Sequence, residues 1–155
     1  MTELALLKTR VRDALVLQLE AALDLMVNAA LQAREAATHS ESRQEGKYDT
    51  RGLEASYLAG AQAKRAAELQ DLIGLYRSSP LESFRLFQAE IEAETHYFFL
   101  VPKGGGVSLE IADKKIQVVT PQSPVGGALA GRVPGDEFDV AAGKQRRTFQ
   151  VVDVL

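Results

Sequence analysis

The chain has 155 residues, 46% of them hydrophobic and 25% charged, a composition that excludes wholesale disorder. With 18 Lys and Arg against 21 Asp and Glu, its formal charge of −3 argues against a protein that coats nucleic acid through phosphate contacts, although a local basic face stays open. There is no cysteine, and the two histidines are His39 and His96, so disulfide frameworks, thiolate nucleophiles and Cys/His zinc sites are excluded. No window approaches the ~18 apolar residues of a membrane span. The start, Met1-Thr2-Glu3, lacks the basic region of a secretory signal. A soluble, cytoplasmic chain with no membrane partner is the expectation.

Residues 2–38 contain neither Gly nor Pro and are rich in Ala, Leu, Gln, Glu and Arg, which predicts one long helix begun weakly by Thr2 and Glu3. Leu15, Leu19, Ala22, Met26, Ala29, Ala33 and Ala36 follow alternating steps of four and three, the seam of a helix packed along a partner helix. Residues 38–52 lose this pattern and are dense in turn formers and charges, which predicts a tip. Helical composition returns over residues 53–76, with Leu58, Ala59, Ala63, Ala66, Leu69, Leu72, Ile73 and Tyr76 as a second stripe. Two such stripes joined by a short polar segment bury each other by folding back antiparallel. Arg77-Ser78-Ser79-Pro80 stops the second helix and marks a domain boundary.

After an ambiguous segment, residues 81–94, short runs rich in β-branched and aromatic residues follow at 95–101, 107–111, 116–120, 138–140 and 148–154. Turn signals separate them, including Lys103-Gly104-Gly105-Gly106 and Val133-Pro134-Gly135-Asp136. Between the strands, Ser123 as cap, Pro124 at the first helical position and Gly131 just past the end predict a single short helix. The expected fold class is α+β: a long antiparallel helical hairpin, or coiled coil, over residues 1–79, then an antiparallel β domain with one short helix over residues 80–155. An imperfect hairpin seam would also leave apolar residues for a second copy of the chain, a homodimer.

No complete active site is visible. The triglycine lacks the Lys-Ser/Thr and strand-to-helix setting of a phosphate loop, so it reads as a hairpin loop. His96 reads as an exposed strand residue rather than a base. The tip is richer, with Glu41, Glu45, Asp49 and Glu54 interleaved with Arg43, Lys47 and Arg51. Arms of about 35 residues would carry it roughly 50 Å at ~1.5 Å per residue. Hard cations such as magnesium take carboxylate oxygens and keep several waters, so one or two tip acids can complete a metal site whose other ligands belong to a partner. The plainer alternative is a solvated charged tip. Lys64 and Arg65 suit phosphates or an acidic protein surface, or else pair with nearby acids such as Glu68.

The run Ser123-Pro124-x-Gly126-x-Ala128-Leu129-x-Gly131-Arg132-x-x-Gly135-Asp136, with Lys114 to Thr120 before it and Phe149 to Val154 after it, resembles the Gre family of bacterial transcription elongation factors. The resemblance implies that the C-terminal domain is FKBP-like and docks on bacterial RNA polymerase at the mouth of its secondary channel. It makes Ser123, Pro124, Arg132 and Asp136, with Lys64 and Arg65, candidate partner-binding residues. It implies that the hairpin enters the channel and that the tip acids Glu41, Glu45 and Asp49 help to orient the polymerase's magnesium. The protein would then be no enzyme itself but a cofactor of the polymerase's own transcript cleavage. It would have no cofactor of its own beyond that shared magnesium, and its contact with nucleic acid would be indirect, through the elongation complex.

The family's tip motif is Asp-Leu-Ser-Glu-Asn-Ala-Glu-Tyr. With Ser40-Glu41-Ser42 on its Ser-Glu-Asn, Thr38 stands where its Asp falls; centred on Asp49, Gly52 stands where its Glu falls. Three readings follow: a cleavage-stimulating factor, a channel-binding regulator that does not stimulate cleavage, and an interaction or chaperone-like module that uses the FKBP-like fold alone.

Overall fold

A run free of glycine and proline forms α1 (Glu3–Thr38), and the Thr2 hydroxyl caps its start by accepting from the Ala5 amide at 3.0 Å. The computed structural model describes residues 2–38 and 58–155. The chain divides into two compact units: Met1–Leu15 with Ser79–Leu155, and Val16–Ser78.

In the Val16–Ser78 unit, α2 (Ala61–Ser78) follows Gly60, whose φ of +53° suits a residue without a side chain. Arg77, in the last turn of α2, pairs with Glu20 of α1 at 2.8 Å. The chain that leaves Glu20 has therefore returned to it by Arg77, as two antiparallel helices must. Of the predicted stripe, Ala66, Leu69, Ile73 and Tyr76 are buried in α2 and Leu58 before it, whereas Ala59 and Ala63 are exposed and Leu72 half-buried, and residues 58–60 precede the helix rather than belonging to it.

The stripe of α1 differs from expectation beyond Leu19. Leu23 and Val27 are buried, whereas Ala22, Ala29, Ala33 and Ala36 are exposed and Met26 is half-buried. Burying Leu or Val removes far more apolar area from water than burying Ala, so the helix turns its larger side chains inward. A second expectation needs correction. Between Glu3 and Ala36, α1 holds an 18-residue window of mean hydropathy 1.6, long and apolar enough by length and composition to cross a membrane. Leu, Val and Ala dominate that window, and neither glycine nor proline lowers its hydropathy.

The other unit is built on one six-stranded sheet. A short 3-10 turn (Leu81–Ser83) leads into β1 (Arg85–Ile91), then come β2 (Glu94–Leu100), β3 (Val107–Ile111), β4 (Lys114–Val119), α3 (Pro124–Leu129), β5 (Glu137–Ala142) and β6 (Gln145–Val154). The order is β3-β4-β2-β1-β6-β5, and every pairing is antiparallel except the parallel β2–β4. The triglycine is therefore not a hairpin loop: it joins β2 to β3, which lies beyond β4 and does not pair with β2. The segment crosses the end of β4, with the Val101 amide donating to Val119 O and the Gly106 amide to Val118 O. A Cβ on Gly105 would sit 3.0 Å from Thr120 Cγ2, so the crossing needs a small residue there.

Both faces of the sheet are covered, and for that reason the consecutive Phe98 and Phe99 are both buried. One face gathers Phe87, Ala89, Ile91, Phe98, Phe149 and Val151 under Leu129 of α3. The other carries Leu86, Phe99 and Ile116, with Phe84 and Phe99 rings 5.6 Å apart, and the first turns of α1 bring Leu4, Leu7 and Val11 to this unit. Glu3 there reaches Lys114 of β4 at 3.3 Å.

The two-residue turns Glu92-Ala93 and Ala112-Asp113 have positive φ at all four positions, between 51° and 64°, with no glycine among them. Each such residue carries ~1–2 kcal/mol of steric cost, which glycine avoids at the expense of unfolded-chain entropy. Ala93→Gly is therefore expected to raise stability by about 0.5–1 kcal/mol, read as a higher urea midpoint at unchanged slope.

Candidate functional site

Four of the candidate partner-binding residues flank α3, and each is held by local structure. Ser123 Oγ accepts from the Gly126 amide at 3.0 Å, and Pro124 follows in the first turn. A Cβ on Gly126 would lie 1.9 Å from the Thr120 carbonyl oxygen, which explains a residue without a side chain there. At the other end Arg132 donates from Nε to Ala128 O at 2.9 Å and lays its guanidinium 4.3 Å over the Phe138 ring. Asp136 Oδ2 accepts from the Val133 amide at 3.0 Å and closes the turn into β5. The pairs Ser123/Pro124 and Arg132/Asp136 thus sit at opposite ends of a helix roughly 9 Å long at ~1.5 Å per residue. Between Arg132 and Asp136, Val133 is 57% exposed, an apolar contact point in an otherwise polar turn. These local contacts hold the side chains of the run in place.

Lys64 and Arg65 lie exposed in the first turns of α2, and Arg65 pairs with Glu68 at 3.6 Å. Neighbouring exposed charges of this kind contribute little to stability. Glu41, Glu45 and Asp49 lie outside the described residues, as do His39, Glu54 and the tip cations. Among the described residues, no group of three His, Asp or Glu could hold a metal ion.

His96 is half-buried rather than exposed. Its ring stacks on Phe98 with centroids 6.3 Å apart, and Nε2 lies 3.9 Å from Glu94 Oε2 without a hydrogen bond. An open cleft of about 350 Å³ between the triglycine segment and α3 is lined by Gly105, Gly106, Gln117, Val118, Val119, Thr120, Ser123 and Val125. It has no aromatic platform for an apolar or proline-rich segment.

Sequence reasoning passed over Lys8. It is 4% exposed, on the same helical face as Leu4 and Val11, and that position in the apolar stripe was the available signal. Burial, then repulsion from Arg85, lowers its pKa below 10.5, while Glu82 works the other way. The folded state thus binds fewer protons than the unfolded chain just below pH ~10.5, so this group's contribution to stability rises with pH in that window. Lys8→Met is expected to stabilise the protein at pH 7 by about 1 kcal/mol, with the gain shrinking as pH approaches 10.5. Urea unfolding of both proteins at the two pH values checks it.

No protein-family model matches the chain, and no curated protein matches it. Among solved structures, the chain is similar to GreA factor homolog 1 (Gfh1) of Thermus thermophilus, at 19% identity and a TM-score of 0.36, covering 90% of this chain and 94% of that one. It is similar also to Gfh1 of Thermus aquaticus, at 22% identity and a TM-score of 0.39, covering 88% and 91%.

Proposed function

We propose that this protein is a Gre-like regulator that binds bacterial RNA polymerase at its secondary channel and modulates transcript elongation from there. The carrying observation is that α2 comes back to α1, with Arg77 beside Glu20, so that the two helices run antiparallel, the arrangement of the resembling family's arm. The capped α3 and the Asp136 turn, built from the residues that resemble the family's docking run, support a polymerase contact through the C-terminal half. In this reading Glu41, Glu45 and Asp49 are the groups that would orient the polymerase's magnesium, for which carboxylate oxygens are suitable hard donors. The chain supplies no catalytic centre of its own, and it acts in the cytoplasm.

A second reading is favoured by the tip sequence: Thr38 or Gly52 stands where the family carries an acid, so channel occupancy without cleavage stimulation fits the loss of the acidic pair. A cleavage assay on stalled elongation complexes, run beside a core-polymerase binding assay, separates the two. Binding with cleavage that falls at least ~10-fold in Glu41→Gln/Glu45→Gln/Asp49→Asn supports the first. Binding without cleavage supports the second, and no binding rejects both.

A further inference from the structure

Burial of Leu19, Leu23 and Val27 leaves α1 with a second apolar face. Leu17 and Leu25 are 67% and 74% exposed, more than any other large hydrophobic side chain among the described residues. Positions that recur at steps of four and three, from Arg10 through Leu17, Ala21 and Leu25 to Gln32 and Glu35, share one side of this unbroken helix. The middle of that side is nearly free of charge. Between Asp13 and Arg34, α1 carries only Glu20, which pairs with Arg77, and Asp24. Its two ends carry opposite charges: Arg10 and Glu35 are exposed, and neither takes part in an ion pair among the described residues.

We infer that this face is an isologous dimer interface, on which a second copy of the chain packs α1 against α1, antiparallel about a two-fold axis at Ala21. The spacing selects that occupant. Leu17 and Leu25 lie four residues on either side of Ala21, so an axis there sets each Leu17 against Leu25 of the second copy. Such self-complementarity is what an isologous contact requires, and an unrelated partner makes no such demand. Ala21 then meets its own counterpart, and two methyl groups let the helix axes approach closely. The same axis brings Glu35 of the second copy within about one helical turn of Arg10, at both ends of the contact. A parallel pair would instead set Arg10 on Arg10 and Glu35 on Glu35, so the charges fix the antiparallel sense. The inference does not depend on polymerase binding.

The test is sedimentation velocity of the full chain from about 1 to 200 μM. A monomer–dimer equilibrium with a Kd on the order of 10 μM is expected, as suits a narrow contact with two leucines per copy. Ala21→Glu places two carboxylates against each other on the axis and should weaken association at least ~10-fold. Arg10→Glu should weaken it about 3-fold, and Arg10→Glu/Glu35→Arg should restore it. Because the chain has no cysteine, Ala21→Cys should crosslink to its counterpart through a short bis-maleimide. Gln32→Cys, roughly 33 Å from its own counterpart at ~1.5 Å per residue, should not. All of these positions are exposed, and unchanged thermal midpoints serve as the folding control. A monomer at every concentration, a dimer that Ala21→Glu leaves intact, or self-crosslinking of Gln32→Cys overturns the inference. So does a chain that stays monomeric and co-sediments with phosphatidylcholine vesicles, which would assign the face to a lipid surface.

Discussion

Truncation of Phe149 to alanine is expected to destabilise the sheet unit by about 3–5 kcal/mol, the range for removing a large aromatic from a packed core. Phe149 is 3% exposed and is the hub of an aromatic chain: its ring lies 5.6 Å from Phe98 of β2 and 5.6 Å from Phe138 of β5. Its loss opens a cavity under Leu129 and weakens the seat of Arg132, whose guanidinium covers the Phe138 face. The effect therefore reaches from core packing to the segment after α3. Phe149→Leu keeps most of the volume and should cost much less, under about 1.5–2 kcal/mol. Urea unfolding, with amide exchange at β1 and β6 as a local reporter, distinguishes the two variants. Equal behaviour of Phe149→Ala and the parent chain would contradict this account of the core.

Leu69→Asp is expected to have a comparable or larger effect on the Val16–Ser78 unit. Leu69 is 1% exposed in the middle of the α2 stripe, between Ala66 and Ile73. A carboxylate at that position loses its hydration without a buried cation to pair with, a cost of about 3–5 kcal/mol that short paired helices cannot absorb. The readout is lost helical ellipticity, and in the proposed function lost polymerase binding through the arm. Gln70→Asp, one residue away on the exposed face, is the matched control and should change little. Tyr76 adds a pH signature in the same stripe, since burial pushes its hydroxyl up to about 12 from 10.0. Its folded pKa lies above the unfolded one, so the stability it supports is intact below pH ~10 and declines as pH rises towards 12.

How much of this was legible in the sequence follows from which forces dominate each element. α1 could be read because Gly and Pro are missing from it, and the end of α2 because Pro80 follows. The start of α2 could not, since the helix begins after Gly60 rather than near residue 53, and it accommodates Gly74. β3, β4, β5 and β6 could be read because Val, Ile, Phe and Thr alternate there between turn residues. β1 could not: Arg85-Leu86-Phe87-Gln88-Ala89-Glu90-Ile91 is built largely of helix formers, and only its place between β2 and β6 makes it a strand. The triglycine was misassigned because a glycine-rich turn looks the same whether the next strand pairs with the last one or skips past it. The seam of α1 went astray at Leu19, where a strict four-and-three spacing selects Ala22 although Leu23 has more apolar area to bury. In the run around α3 the residue types and the Ser123 cap were legible, while the stacked guanidinium of Arg132 and the turn closure by Asp136 needed coordinates.

The central claim, that the connection between α1 and α2 enters the polymerase, is tested most directly by a single introduced thiol. The chain has no cysteine, so Ser42→Cys provides a unique attachment point for a short photoreactive crosslinker. Bound to a backtracked elongation complex, the labelled protein is expected to crosslink to the secondary-channel lining and to the RNA 3′ end, while a label at Lys144→Cys stays outside the channel. Crosslinks from Ser42→Cys confined to the outer surface of the polymerase, or none at all from a protein that binds, would contradict the account.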